Sequence, residues 1–265
     1  VDSNPERHLF LSPHYDDIPL SCGGTVTSLA ARGVRPEIAL IFGDYPDPDA
    51  PLTSFAERLH DEWGLAAGEV IDARRAEEAA ASALIGATDI YLPFRDAIYR
   101  GSSYVSDELL FADPVEAEAE LPQAIVDALD LSVPSGGELH VYAPLGIGRH
   151  VDHQVAFQAG RLLHESGVRV RFYEDLPYAL EAPHVTRRMD DLRGQVENAE
   201  KVPVEEVWQT KIEAIMAFPS QVGVIFERYV GVQPTRPAIS EAMHNYAVAA
   251  GDGVAVEQFW KLTDR

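Results

Sequence analysis

One cysteine, Cys22, is present in 265 residues. A single thiol excludes an intramolecular disulfide and a four-cysteine zinc site. Basic residues are scarce: 21 Lys and Arg stand against 43 Asp and Glu, a formal net charge of −22. A chain this acidic repels phosphate backbones and anionic membrane surfaces, which argues against nucleic acid or membrane as a partner. The same charge serves solubility. Long apolar runs are absent, and nothing approaches the ~20 consecutive apolar residues that cross a bilayer. The opening stretch Val-Asp-Ser-Asn-Pro-Glu-Arg has no apolar signal core, so a cytoplasmic location is expected. No internal repeat or low-complexity tract occurs. What the chain does have is a hydrophobic share of 46%, enough for a large core and incompatible with disorder throughout.

Short apolar runs alternate with helical stretches. Residues 8–12, 37–42, 89–92, 138–143 and 168–173 read as buried strands. Residues 20–32, 72–85, 115–129 and 152–165 read as helices, with Gly33 and Gly86 as stops for the first two. This alternation predicts an α/β fold: a Rossmann-like, mostly parallel sheet with helices on both faces. One domain is expected over 1–265, with its core at about 8–180. An irregular C-terminal third, 181–265, has helices over 204–217 and 240–249 and completes the substrate pocket. Two loops follow strand ends, where α/β proteins place functional groups. One is the Pro- and Asp-rich segment 44–51. The other is 95–114, whose weak periodicity suits a mobile active-site loop.

Chemistry concentrates in two clusters. Ser12-Pro13-His14-Tyr15-Asp16-Asp17 follows the first strand, and Gly148-Arg149-His150-Val151-Asp152-His153 follows the fourth. Both belong at the carboxyl edge of the sheet, where ligand crevices form. Three imidazoles and three carboxylates suit a divalent transition metal with groups left over for acid–base work. His14 and Asp17 can face the same way if the chain turns there, and His153 can complete a three-ligand set. Asp16 is then a carboxylate beside a metal-bound water, the position of a general base. His150 can serve a developing oxyanion or the leaving amine, with Asp152 fixing its tautomer. Taken singly, an Asp-Asp pair after a strand is commonly a helix N-cap, and a His-x-x-His is commonly structural. Two such clusters at one sheet edge point to a site. Two histidines and a carboxylate suit Zn2+, and Fe2+ also.

Ser21-Cys22-Gly23-Gly24 lacks the spacing of a dinucleotide fingerprint, and tight helix packing explains its glycines. Cys22 reads as a small buried apolar group. Glu174 and Asp175 follow the fifth strand and can line the pocket or bind a sugar hydroxyl. Tyr45, Asp47 and Asp49 are weaker candidates for substrate contact. His60, His164, His184 and His244 lack ligand-like company and read as structural or surface residues.

His14-Tyr15-Asp16-Asp17, then Ser21-Cys22-Gly23-Gly24-Thr25, then His150-Val151-Asp152-His153 resemble the LmbE-like (PIG-L) family of metal-dependent N-acetylglucosamine deacetylases. Arg74 with Glu77 and Gly86, residues 172–179, and the stretch from Lys211 to Gln221 are similar to further family segments. The resemblance implies that His14, Asp17 and His153 are metal ligands and that Asp16 is the general base. It implies that His150 stabilises the tetrahedral intermediate and that Asp152 orients it. Arg74 matches a sugar-contacting arginine, with the adjacent Arg75 as the other register. Many members read His-Pro-Asp-Asp-Glu; here Tyr15 replaces the Pro and Ile18 the Glu, which marks a side branch.

The function expected is a zinc-dependent hydrolase that removes an N-acetyl group from an N-acetylated amino sugar or related small molecule. Alternatives are a metal-dependent amidase for a larger sugar or thiol conjugate, and a non-catalytic sugar-binding module. A homo-oligomer is compatible with the sequence, which points to no interface.

Overall fold

The computed structural model describes residues 6–66, 68–133 and 135–263. The first five residues of the opening stretch lie outside them. Among the described residues seven strands form one sheet: β1 Glu6–Ser12, β2 Glu37–Leu40, β3 Thr88–Tyr91, β4 Glu138–Pro144, β5 Arg169–Tyr173, β6 Val196–Pro203 and β7 Val256–Leu262. Their order is β3-β2-β1-β4-β5-β7-β6. The first five pair in parallel; β7 runs antiparallel to both β5 and β6. The sheet is thus mostly parallel, as the alternation of strands and helices predicts.

The helices are α1 Asp17–Ala31, α2 Ser54–Trp63, α3 Val70–Ile85, α4 Asp107–Leu110, α5 Leu121–Ala128, α6 Val151–Glu165, α7 Ala182–Asp191, α8 Trp208–Ile215, α9 Pro219–Gly223 and α10 Arg236–Ala250. Helices α1, α3 and α8 pack together on one face, while α5 and α6 pack on the other. Coverage on both faces explains why β1 and β4 are buried continuously through their second halves rather than alternately. Helix α3 stops at Gly86, whose φ of +77° admits the left-handed turn; a Cβ there would lie 2.7 Å from that of Ala30. Among the described residues no helix is long and apolar enough to cross a membrane.

Several expected helices are reshaped. The stretch 115–129 is a 3₁₀ turn at Glu116–Glu118 followed by α5, which restarts with Pro122 in its first turn. The stretch 204–217 begins as a turn at Glu205–Val207 before α8. Residues 95–114, read as an irregular loop, carry a turn at Ala97–Tyr99 and the short α4, each capped by a side chain (Asp96 and Ser106). Ile98, Tyr104 and Leu110 from this segment pack with Phe55 and Leu59 of α2 in a small second core. Helices α2 and α7 and strands β6 and β7 were not foreseen. Strand β6 is polar along most of its length, Val-Glu-Asn-Ala-Glu-Lys-Val-Pro, and its pairing with β7 decides its conformation.

The sheet order places β1 between β2 and β4, so the connections diverge at the carboxyl ends of β1 and β4. A crevice opens there. Both histidine clusters lie at its lip.

Candidate active site

The chain leaves β1 in a tight turn. Ser12 Oγ donates to the His14 carbonyl at 2.7 Å, and the His14 N–H donates to Asp17 Oδ2 at 2.7 Å. Asp16 occupies the N-cap position of α1 with φ 90°, ψ −26°, and its side chain makes no capping bond. The commonplace role of such a residue is therefore not taken, and its carboxylate lines the pocket. After β4 the chain passes through left-handed residues at Gly146, Gly148 and Arg149. A Cβ on Gly148 would lie 2.5 Å from Tyr178 Cγ, so only glycine fits. His150 then caps α6, and His153 follows one turn later.

His14, Asp16, Asp17, His150 and His153 line one pocket. His14 Nδ1 lies 3.6 Å from Asp17 Oδ2, and His153 Nε2 lies 3.4 Å from Asp17 Oδ1. The other ring nitrogens are held from behind: His14 Nε2 by Asp152 Oδ2 at 2.9 Å, and His153 Nδ1 by Asp175 Oδ1 at 2.7 Å. Carboxylates accept and do not donate, so each outer nitrogen carries a proton, and the inner nitrogen is the one whose lone pair serves a cation once its own proton is displaced. Two lone pairs converging on a carboxylate, with carboxylates behind both rings, form a donor set that fits a divalent cation.

The surrounding carboxylates favour positive charge at this spot, carried by protons on the inner nitrogens or by a divalent cation that displaces them. Burial opposes charge on His14, but Asp96, Asp152 and Asp17 outweigh it and raise its pKa well above the ordinary value. His153 is raised in the same way against burial by Asp17 and Asp175. Asp17 and Asp152 sit below the usual carboxylate range: burial would lift both, but His153 and His14 hold Asp17 down, and Arg100 and His14 hold Asp152 down. Asp16 differs. Burial lifts it to about 7, Arg74 opposes the rise and Asp17 adds to it. A carboxyl near neutrality matches the requirement for a proton acceptor and donor at physiological pH.

Asp152 does not do what was expected of it. Its carboxylate accepts from Ala97 N–H at 3.0 Å, pairs with Arg100 Nη2 at 2.7 Å and holds His14. The tautomer of His150 is set instead by the Asp152 backbone N–H, which donates to His150 Nδ1 at 3.2 Å. The proton of His150 therefore sits on Nε2. Burial and the neighbouring His14 lower the His150 pKa well below its ordinary value, so the ring is neutral.

Arg74, not Arg75, faces the pocket. Its guanidinium lies between the rings of Tyr15 and Trp63, at 5.0 and 5.1 Å from their centroids, and 3.9 Å from Asp16 Oδ1. Arg75 points the other way, between the rings of Tyr45 and Tyr91. The expected pocket contacts of Glu174 and Asp175 are not made. Glu174 is turned into the C-terminal packing, where it accepts from Tyr246, Gln258 and Trp260. Asp175 stands behind His153 and also accepts the Gly146 and Ile147 N–H groups. Strand alternation and the tight 146–148 loop leave both side chains occupied before any substrate arrives. Tyr45 is turned to Asp72 and does not line the pocket.

Several lining residues, Asp96, Trp63, Tyr178, Gln221 and Tyr229, are given no individual role by the sequence, although Asp96 falls in the expected active-site loop and Tyr178 and Gln221 in family-like segments. Asp96 was accessible in principle, because it follows the end of β3 just as His14 and His150 follow β1 and β4. The others come from elements whose placement no local pattern announces. Gln221 is brought in because Glu77 on α3 accepts from both the N–H and the hydroxyl of Ser220. Val224 and Ile225 enter from a π-helical stretch, Val224–Arg228, which directly follows α9.

Residues 9–163 match the family model for PIG-L, GlcNAc-PI de-N-acetylase. The chain is 34% identical over 220 residues to the 2'-N-acetylparomamine deacetylase of Streptomyces fradiae, covering 81% of this chain and 73% of that one. It is 30% identical over 196 residues to the 2'-N-acetylparomamine deacetylase of Niallia circulans, covering 67% and 70%. Among solved structures, the zinc-inhibited form of a teicoplanin deacetylase superposes with a TM-score of 0.74 at 25% identity, over 97% of this chain and 99% of that one. The shared segment includes both histidine clusters and the strands that present them, and the chain belongs to the PIG-L (LmbE-like) family of de-N-acetylases, hydrolases of the amide C–N bond.

Proposed function

We propose that the protein removes the acetyl group from an N-acetylated amino sugar of the kind represented by 2'-N-acetylparomamine, using a divalent metal and Asp16. The observation that carries this reading is the pair of inward lone pairs on His14 Nδ1 and His153 Nε2 facing Asp17, with the uncommitted Asp16 carboxylate beside them. A divalent ion held by His14, Asp17 and His153, Zn2+ by donor type, supplies Lewis acidity and a water acidic enough to ionise near neutral pH. Fe2+ suits the same donors.

Asp16 takes the proton of the attacking water as the new C–O bond forms at the acetyl carbonyl carbon. His150 donates from Nε2 to the carbonyl oxygen as negative charge develops there. His150 is neutral, and a neutral imidazole is a poor acid, so Asp16 delivers its proton to the leaving nitrogen as the C–N bond breaks. The products are acetate and the free amine. Leu20, Leu59, Leu110 and Ile225 line the same pocket and keep bulk water from competing. A pocket with three carboxylates and one arginine, in a chain of charge −22, favours a substrate carrying ammonium groups over an anionic one.

The test is acetate release from 2'-N-acetylparomamine and from N-acetylglucosamine by zinc-loaded wild type and Asp16→Asn, with metal content measured by elemental analysis. Release by wild type and its loss in a variant that keeps its metal is the expected result. Full activity in Asp16→Asn overturns the base assignment. One metal per chain with no release from either compound redirects the search to larger conjugates.

A further inference from the structure

Helix α3 grips a single peptide group at the site. Arg74 Nη2 donates to the Tyr15 carbonyl at 3.3 Å. Glu78, one helical turn later, accepts the Asp16 N–H on Oε2 at 3.0 Å. The Tyr15 carbonyl and the Asp16 N–H are the two ends of one planar unit, so α3 holds that plane from both sides. The plane leads directly into Asp16, whose φ of 90° is a left-handed conformation uncommon outside glycine. Glu78 is fully buried, and its second oxygen has no hydrogen-bond partner. A buried carboxyl in helix α3 whose hydrogen bond goes to the backbone of Asp16 has little to offer packing. Its position is explained by the bond it makes.

We propose that Glu78 is a positioning residue for the general base: by accepting the Asp16 N–H it locks the left-handed turn that aims the Asp16 carboxylate into the pocket. The inference rests on Asp16 as the base, proposed above. It requires reach, not charge. A buried N–H needs an acceptor at hydrogen-bond distance, and a glutamine supplies one from the same position. An aspartate keeps the acid but ends one methylene short. Without the acceptor the turn relaxes, and the carboxylate moves relative to the scissile amide.

The experiment compares Glu78→Gln and Glu78→Asp in the zinc-loaded enzyme, with Asp16→Asn alongside. It measures kcat, KM and zinc content. A displacement of about 1 Å in a catalytic group costs about 100-fold, so kcat in Glu78→Asp is expected to fall between about 10- and 100-fold. KM and zinc stoichiometry should stay at wild-type values, because the substrate contacts and His14, Asp17 and His153 are untouched. Glu78→Gln should restore kcat. Loss in Glu78→Gln with retention in Glu78→Asp would mean that charge matters and overturns the proposal. Equal rates in wild type and both Glu78 variants, or loss of zinc in Glu78→Asp, overturns it too. If Asp16→Asn itself runs at full rate, the fault lies in the base assignment, and the two failures are thereby told apart.

Discussion

His153 Nδ1 lies 2.7 Å from Asp175 Oδ1, and Asp175 Oδ2 accepts the N–H groups of Gly146 and Ile147. One buried carboxylate thus fixes both the ring that faces Asp17 and the loop that carries His150. Replacing Asp175 with Asn should weaken metal binding by about 10–100-fold, the usual effect of losing a carboxylate behind a ligating histidine. Competition against a chromophoric chelator measures it. Unchanged affinity would show that the carboxylate serves the loop alone.

His150 and Asp152 should separate cleanly. His150→Ala removes the Nε2 donor and should lower kcat by about 100–1000-fold while metal content stays intact. Asp152→Ala frees His14 Nε2 and leaves Arg100 with Glu118 as its carboxylate partner. It should lose metal before it loses anything specific to His150. Elemental analysis beside single-turnover rates distinguishes the two; a metal-replete Asp152→Ala would contradict the geometry.

Arg74 opposes the rise that burial imposes on Asp16. Removing its charge should therefore push the Asp16 pKa upward. As the proposed base, Asp16 works only when ionised, so the acid limb of kcat/KM in Arg74→Gln should begin at a higher pH than in wild type. At pH 7 the variant should lose activity that returns in part at pH 8.5. A pH–rate profile with an unmoved acid limb would rule out this coupling.

At the far end of the sheet, His8 and His140 stack with centroids 4.7 Å apart. Burial lowers both pKa values; the charge of His140 adds to the effect on His8, which Glu6 opposes, and the charges of Arg171 and Arg169 add to the effect on His140. A histidine whose folded pKa is depressed binds fewer protons folded than unfolded. Its stabilising contribution is complete above the unfolded value of 6.5 and is lost as pH falls below it toward the folded value. Thermal melts between pH 7.5 and 5 should fall more steeply in wild type than in a His8→Gln, His140→Gln double variant. Parallel curves would show that the pair does not titrate on unfolding.

Much of the site was legible because its groups sit where short-range rules apply. The five parallel strands were readable from their apolar runs, and His14, Asp16, Asp17, His150 and His153 follow two of them directly. Residue type and strand-end position suffice for such groups. Asp152 was found by the same rule, but its partner was misassigned, because a side chain's direction depends on what stands across the crevice. Arg74 and Arg75 differ only in the face of α3 they occupy. Helical periodicity narrows that choice and packing makes it. Glu78 carried no mark at all in an Ala- and Glu-rich helix.

The sequence by itself determined the class of the fold, the sheet edge on which the site lies and the kind of atoms that meet there. These follow from local periodicity, from the rule that places ligands at strand carboxyl ends, and from the short list of side chains able to hold a metal or move a proton. Only the tertiary structure decided which nitrogen of each histidine is free, which carboxylate stands behind which ring, and that Asp16 is held by α3 in a left-handed turn. Those are contacts between residues as far apart as Asp16 and Glu78, or His14 and Asp152. Their energy depends on distance in space, and no periodicity along the chain encodes it.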